Sequence, residues 1–506
     1  MHIIFDLYFA ICAFISYVSL KFKKPLTVSK FSFPVQNFSR RIVNVRELVL
    51  GKGSKKSLIL SLDKQNDQPK IGYLLFELMS RIPFYTSGEK WSSYEEAKQF
   101  VEGYSEYLTP FCRYYNYDNF TENTHPKKLL KMVVDKGVAA NLLTYDSSSD
   151  TYFVDVMSLS EYEVREPYIR YGAKAVFNNK LEIISITTAY HGKTIYYDQQ
   201  PSSLHREMQE VQKTQEVQEM QEAVNIFISS ACAYSYIVIH TLYCHLSTLG
   251  GINGAINETF DVDHRLYKLL WPVLHKLTYI TSGNVISYSK GGGIINRLFA
   301  FTTDGYSRLM NDHVDKFQLL QFDTLVQQQG MHNEYSRISM IYWDTIKEFV
   351  SGAVQTLSIT NEEKQAFVFN SYKYLYNLDA SLRDYDLDEK FIRILTSFIF
   401  NATVWHKQVE ITLDNLIDPR MLKPKISKDA VADLVDTVQN TREKMILLVF
   451  TNLLMRSILP IGEDYSPLYP EDMEASKLWL TFGANLSSRL VGVKFACLLP
   501  QNVRVL

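Results

Sequence analysis

A chain of 506 residues could hold one large domain or three ordinary ones, and its 46% hydrophobic and 13% aromatic content suffices for a sizeable core. A net charge of −2, with no basic stripe interleaved with aromatics, argues against a nucleic-acid partner and against a strongly basic membrane face. The five cysteines, Cys12, Cys112, Cys232, Cys244 and Cys497, lack metal-type spacing, which excludes a disulfide framework and a zinc ribbon.

The first segment, residues 1–24, is apolar from Ile3 to Leu20 apart from Asp6, and Lys21, Lys23 and Lys24 follow it. A signal peptide carries its charge before the apolar run and a small-residue cleavage site after it, and neither is present here. The run is near the lower length limit for a membrane span. Two readings stay open: a signal or anchor, placing the protein outside the cell or at a membrane, or a buried first helix in a cytoplasmic protein. Residues 25–145 are mixed and polar, with an amphipathic helix expected over 93–107, and form either the first part of the main domain or a divergent extension. The turn-rich Asp146-Ser147-Ser148-Ser149-Asp150 ends this region. Two strands are expected next, Tyr152–Val156 and Leu181–Ile186. From Met208 to Glu222 the sequence repeats Gln, Glu, Val and Met, all but the Val strong helix formers, which reads as a solvated helical insertion too short for a coiled coil. Thereafter long apolar-periodic segments dominate: 223–250, 264–282, 338–357, 389–413, 430–459 and 472–493. The expected fold is mainly α, with residues 146–506 as one large helical domain bearing a few short strands. Five Asn-x-Ser/Thr sequons begin at Asn37, Asn119, Asn257, Asn401 and Asn485, and Asn401, inside an apolar helical stretch, reads as a chance match.

The sharpest chemical pattern is Tyr236-Ile-Val-Ile-His240-Thr-Leu-Tyr-Cys-His245. At about 100° per residue the two histidines would lie roughly 140° apart on an α-helix and face different targets. With about 4.4 residues per turn, as in a π-bulge, they return to within roughly 50° of one direction. They form a site only if the helix is locally widened; without that, core histidines are the commoner outcome. A second apolar helix carries His406 and, one turn on, Glu410. Three imidazoles and a carboxylate on interior helices suit a metal centre, and imidazole alone does not select among iron, manganese, zinc and copper. The third element is the apolar end, Leu498–Leu506. It reads either as a surface-packed strand or as a buried carboxylate at Leu506 that requires a cation.

In this order the three elements resemble the lipoxygenase family. There, two ligand histidines separated by four residues on a long helix, a third from a later helix and the terminal carboxylate hold one non-haem metal. The resemblance extends over about residues 150 to 506. His264-Arg-Leu-Tyr-Lys-Leu-Leu-Trp-Pro272 is similar to the family's His-Pro-x-x-x-Leu-Leu-x-Pro segment. Gly293-Ile294-Ile295 resembles the glycine after its arched helix, and Trp343 with Ile346 and Phe349 resembles its tryptophan-bearing helix. Several positions depart from the pattern. Glu410 stands where Asn, His or Ser is usual, Ser235 replaces a histidine five before the first ligand, and Arg265 replaces Pro. Val273 replaces a histidine, and no N-terminal β-sandwich is evident.

The resemblance implies a dioxygenase that inserts O2 into a polyunsaturated fatty acid to give a lipid hydroperoxide. The implied cofactor is iron, with manganese as the alternative, on His240, His245, His406, Leu506 and, in or beside the ligand shell, Glu410. Gly283 and Asn284 fall where the family directs oxygen, and Ile295 lines the same channel. His275 and Lys276 fall where a cation sometimes meets the fatty-acid carboxylate, although solvated helix residues would look the same. The expected partners are the fatty acid and O2, with peripheral membrane contact and a monomeric state. A lipid hydroperoxide isomerase and a catalytically silent lipid-binding protein are the alternatives on the same scaffold.

Overall fold

No proline interrupts residues 209–259, so the glutamine-rich tract and the apolar run that follows can form one continuous rod. In the computed structural model they do. The structure describes residues 40–44, 59–63, 126–409 (except 167, 198–208, 275–288, 290, 376–377 and 379–381) and 465–493. The rod comprises helix α2 (Gln209–Ala233), a π-helical segment π1 (Tyr234–Leu249) and helix α3 (Gly250–Thr259). The tract read as an insertion is thus the opening of the central helix. Its Glu219–Thr259 part is long and apolar enough to cross a membrane, yet 89% of its most apolar window is buried inside the fold. A helix apolar on every side belongs in a core.

Ahead of the rod, helix α1 (Pro126–Asp135) leads into a five-stranded antiparallel meander: β3 (Thr144–Asp146), β4 (Thr151–Asp155), β5 (Ala173–Phe177), β6 (Ile183–Thr188) and β7 (Thr194–Tyr196), hydrogen-bonded in chain order. A separate antiparallel ribbon pairs β1 (Arg40–Asn44) with β2 (Ile59–Asp63). In β4 and β5 the inward side chains alternate, Tyr152 and Val154, then Ala173, Ala175 and Phe177. They pack on α2, where the Phe177 and Phe227 rings lie 6.3 Å apart and the Gly172 N–H donates to Ser230 Oγ. Gly172 has φ +118°, and an added Cβ there would lie 2.9 Å from the Met157 carbonyl, so glycine is required. Strand β3 runs across residues 145 and 146, and α1 packs in the same core as the sheet.

After the rod come short helices α4 (Arg265–Leu269), α5 (Trp271–Leu274) and α6 (Ile294–Leu298), then α7 (Thr303–Val314), α8 (Phe322–Gln329), α9 (Glu334–Thr356) and α10 (Asn361–Tyr374). Helix α11 (Leu387–Phe400) passes into a second π-helical stretch, π2 (Asn401–Trp405), and helix α12 (His406–Val409); α13 (Met473–Arg489) lies beyond. Their starts are written locally. Thr302, Asn333, Asp386 and Asp472 cap α7, α9, α11 and α13, and Thr360 with Glu363 forms a capping box on α10. The helical share of the described residues is 64%, as expected of a mainly α fold. Two cores flank the rod. Tyr236, Ile237, Val238, Leu242 and Leu246 of π1 join the core beneath the sheet, whereas Ile239, Cys244 and Leu249 join the one built from α3, α9, α10, α11 and α13. Segment π1 is therefore buried on both sides. The sequons at Asn257 and Asn401 are buried too, so neither can carry a glycan, while Asn485 is exposed.

The expected helix over 93–107 and the segment 430–459 lie outside the described residues, as do residues 1–24.

Candidate metal centre

The five-residue spacing of His240 and His245 required a widened helix, and π1 supplies one. The Gly250 N–H donates to the His245 carbonyl five residues back, and Thr241 Oγ1 donates to the Tyr236 carbonyl, again five back. The same device recurs in the second helix, where the His406 N–H reaches the Asn401 carbonyl at the end of π2. Both widenings abut histidines, in keeping with the concentration of π-helical turns at functional sites.

The three rings converge. His240 Nε2 lies 2.9 Å from His406 Nε2 and 3.1 Å from His245 Nε2, and the last two are 3.0 Å apart. All three rings are buried. Their planes are inclined to one another by 76°, 55° and 90°, like blades of a propeller. Tyr236 covers the outer face of His240 with its ring centroid 4.6 Å away, and Phe299 lies 6.1 Å from Tyr236 in turn. Burial holds the imidazoles of His240 and His406 well below their ordinary value, reinforced by the neighbouring histidines, and takes His245 down to about 4. At neutral pH all three are uncharged and able to donate lone pairs.

A triangle of imidazole nitrogens is an unstable arrangement by itself. Each N–H can serve one neighbour only, and the remaining lone pairs face one another in a site without water's dielectric. A cation relieves this. For a metal–nitrogen distance of about 2.1 Å, the observed separations give N–metal–N angles of about 90°; a tetrahedral site would need nitrogens about 3.4 Å apart. The set thus fits three adjacent corners of an octahedron, with the other corners left for further ligands. Nδ1 of His240 and of His245 have no hydrogen-bond partner among the described residues, although ligating imidazoles ordinarily donate outward. Among the described residues no carboxylate joins the group. The two anionic candidates, Glu410 and Leu506, lie outside the described residues, as do the channel candidates His275, Lys276, Gly283 and Asn284. Ile295 is buried on α6, in the core to which Tyr236 belongs.

The departures at 235 and 265 acquire partners here. Ser235 Oγ donates to the Val138 carbonyl. Arg265 forms a two-pronged pair with Asp472 and reaches Glu474, tying α4 to the start of α13. Trp343, Ile346 and Phe349 are buried on α9. Of the other described histidines, His191 lies 3.4 Å from Glu222, His313 is buried and His332 is exposed. Sequence reasoning missed π2 and the contacts of Gln408 and Asn333. No residue preference announces a π turn, and only the imidazole spacing betrayed π1.

No protein-family model and no curated protein matches the chain. Solved structures do. A fungal lipoxygenase from Fusarium graminearum aligns at TM-score 0.64 and 12% identity over 96% of this chain and 86% of its own. A calcium-dependent 11R-lipoxygenase aligns at TM-score 0.63 and 14% identity over 88% of this chain and 76% of its own. A Delta413-417:GS lipoxygenase variant in complex with arachidonate aligns at TM-score 0.61 and 15% identity over 88% of this chain and 77% of its own. The class defined by architecture is clear. The chain has a divergent lipoxygenase-like fold.

Proposed function

We propose that the protein is a non-haem metal dioxygenase that converts polyunsaturated fatty acids to lipid hydroperoxides. The observation that carries this is the triangle of buried Nε2 atoms 2.9–3.1 Å on a side, offered by two interior helices that both widen at that point. His240, His245 and His406 would hold one iron or manganese ion, with the carboxylate of Leu506 and Glu410 as its anionic partners. When bound, the ion supplies one-electron redox chemistry, which the neutral imidazole set leaves available.

The chain's own residues do the rest. Burial keeps the three imidazoles unprotonated. Tyr236 packs its ring against His240 with the centroids 4.6 Å apart and the planes 32° from parallel, and the surrounding apolar side chains exclude water from a radical reaction. In the net reaction a bis-allylic C–H bond breaks, a C–O bond forms with O2, and the hydrogen ends on the outer oxygen. The arachidonate bound to one structural neighbour supports a fatty acid as substrate class. Within this reading His275 or Lys276 meets the substrate carboxylate, and Gly283, Asn284 and Ile295 border the path of oxygen.

The test is metal analysis of the purified full chain, followed by conjugated-diene absorbance on linoleate. Stoichiometric iron or manganese with rising absorbance is expected. Metal without absorbance change would overturn the dioxygenase, and absence of metal would overturn the centre itself. Either His240→Ala or His406→Ala should abolish metal retention.

A further inference from the structure

Three buried side chains from three separate helices converge on the carbonyls of one short segment. Ser235 Oγ donates to Val138 O at 2.9 Å. Gln408 Nε2 donates to Gly137 O and, at 3.3 Å, to Lys136 O. Asn333 Nδ2 donates to Val134 O at 3.0 Å and Ala140 O at 2.8 Å. All three donors are nearly inaccessible, at 0%, 2% and 3% exposure. Two of them sit beside the candidate ligands. Ser235 is five residues before His240, which is again five before His245, so the three occupy successive π turns of one helix. Gln408 is two residues after His406 on α12.

Apart from the imidazole contacts themselves, the direct polar tie between the two histidine-bearing helices among the described residues is the thiol of Cys244 to the Asn401 carbonyl at 3.4 Å, and a thiol is a weak donor. Amide and hydroxyl donors to buried carbonyls are stronger, and leaving such a carbonyl unmet is costly. The segment itself is stiff. Gly137 N–H closes on Met132 O, Asn333 grips both its ends, and an added Cβ at Gly137 would lie 2.8 Å from Val133 Cα. It is a fixed strip of acceptors to which one helix is fastened at residue 138 and the other at residues 136 and 137.

We propose that the segment Val134–Ala140 sets the register between the two histidine-bearing helices, with Ser235 and Gln408 as positioning residues for the nitrogen triangle. The proposal rests on the reading that this triangle holds a metal ion. Packing alone leaves helices free to slide by fractions of an ångström. A bond from each helix to adjacent carbonyls removes that freedom within reach of the rings, and a facial set tolerates little slippage.

The experiment is titration of the metal-stripped full chain with Mn(II) and with Co(II), reading affinity and the Co(II) visible spectrum. Ser235→Ala removes one oxygen, and Gln408→Glu keeps the shape but leaves at most one O–H for the two carbonyls that the amide meets. Each should weaken Mn(II) binding about tenfold or more, the range seen when groups supporting ligands are removed, and each should alter the Co(II) bands. Thr360→Ala breaks the capping box of α10, away from the segment, and serves as the stability control. It should leave affinity and spectrum as in the unmodified chain. Wild-type affinity and spectrum in both Ser235→Ala and Gln408→Glu would overturn the positioning role. If Gln408→Glu does not fold, Ser235→Ala decides alone. An unmodified chain that takes up neither ion would refute the metal centre, and this proposal with it.

Discussion

Replacing Arg393 with Met should cost the fold about 3 kcal/mol, and the reason lies in what the guanidinium leaves behind. Arg393 is 7% exposed on α11. Its Nη1 and Nη2 reach both oxygens of Asp323 at 3.2 and 3.1 Å, Nη1 reaches Gln321 Oε1 at 3.0 Å, and Nε reaches Glu389 at 2.8 Å. The plane lies over Tyr385, with Cζ 4.3 Å from the ring centroid. Breaking a buried ion pair by removing one partner costs about 3–5 kcal/mol. Two features pull the figure toward the lower end. Asp323 keeps 23% of its side chain in solvent, and Glu389 retains Lys347 at 2.7 Å. Against that, Gln321 is buried and its Nε2 has no partner among the described residues, so losing the bond at Oε1 leaves the amide without either of its sides met there. Urea unfolding followed by tryptophan emission is the assay, since Trp343 and Trp405 both lie near Phe322 on the neighbouring α8. The decisive comparison is a cycle. Arg393→Met with Asp323→Leu should lose less than the sum of the single changes, because the orphaned carboxylate is gone. A single-variant loss below about 1 kcal/mol, or strict additivity, would show that the network is solvated and contributes little.

The Co(II)-loaded protein should show weak visible bands of the six-coordinate kind, since the nitrogens sit too close together for a tetrahedron; intense four-coordinate bands would contradict that geometry. Burial lowers the pKa of His313 from 6.5 despite its bond to the Leu309 carbonyl and the nearby Asp312 and Glu161 carboxylates, with Lys316 adding to the lowering. The unfolded chain therefore takes up that proton first as pH falls, so the His313 share of stability is intact above 6.5 and is lost on acidification below it. His313→Gln should make the acid decline in urea-measured stability shallower by up to about one proton, and identical slopes would exclude it. Gly305→Ala would place a Cβ 2.3 Å from the Glu163 carbonyl oxygen; a loss of about 3 kcal/mol is expected, and a neutral outcome would mean the start of α7 can move. Glu410→Asn should shift the paramagnetic spectrum of the iron-loaded chain, and an unaltered spectrum would place Glu410 outside the coordination sphere.

Much of the helical architecture is legible because its signals are local. The alternation of Tyr152 and Val154 marks β4, and the apolar periodicity of 338–357 and 472–493 marks α9 and α13 within a few residues. Helix α10 escaped that reading although Thr360 and Glu363 spell a capping box. Its buried side chains include polar ones (Lys364 and Ser371 beside Phe367, Val368 and Tyr374) and it exposes Phe369, so its apolar pattern is blurred. The glutamine-rich tract misled in the opposite sense. Composition alone made it a separate solvated element, whereas helix formers joined without a break to an apolar run simply lengthen the run's helix.

The site divides in the same way, between what spacing carries and what only assembly reveals. His240 and His245 are uninformative on an α-helix and convergent on a π-helix, so the sequence poses a conditional that the backbone resolves. A π turn gives up regular hydrogen bonding and is kept where something else repays it. Here Thr241 covers the Tyr236 carbonyl, Asn401 Nδ2 turns back to the Ser397 carbonyl, and the Cys244 thiol bridges one widening to the other. None of these small polar residues looks functional in a list of motifs. Their placement nonetheless lets two apolar helices bring three imidazole nitrogens to one point, where without an ion there are too few N–H donors to meet every lone pair turned inward.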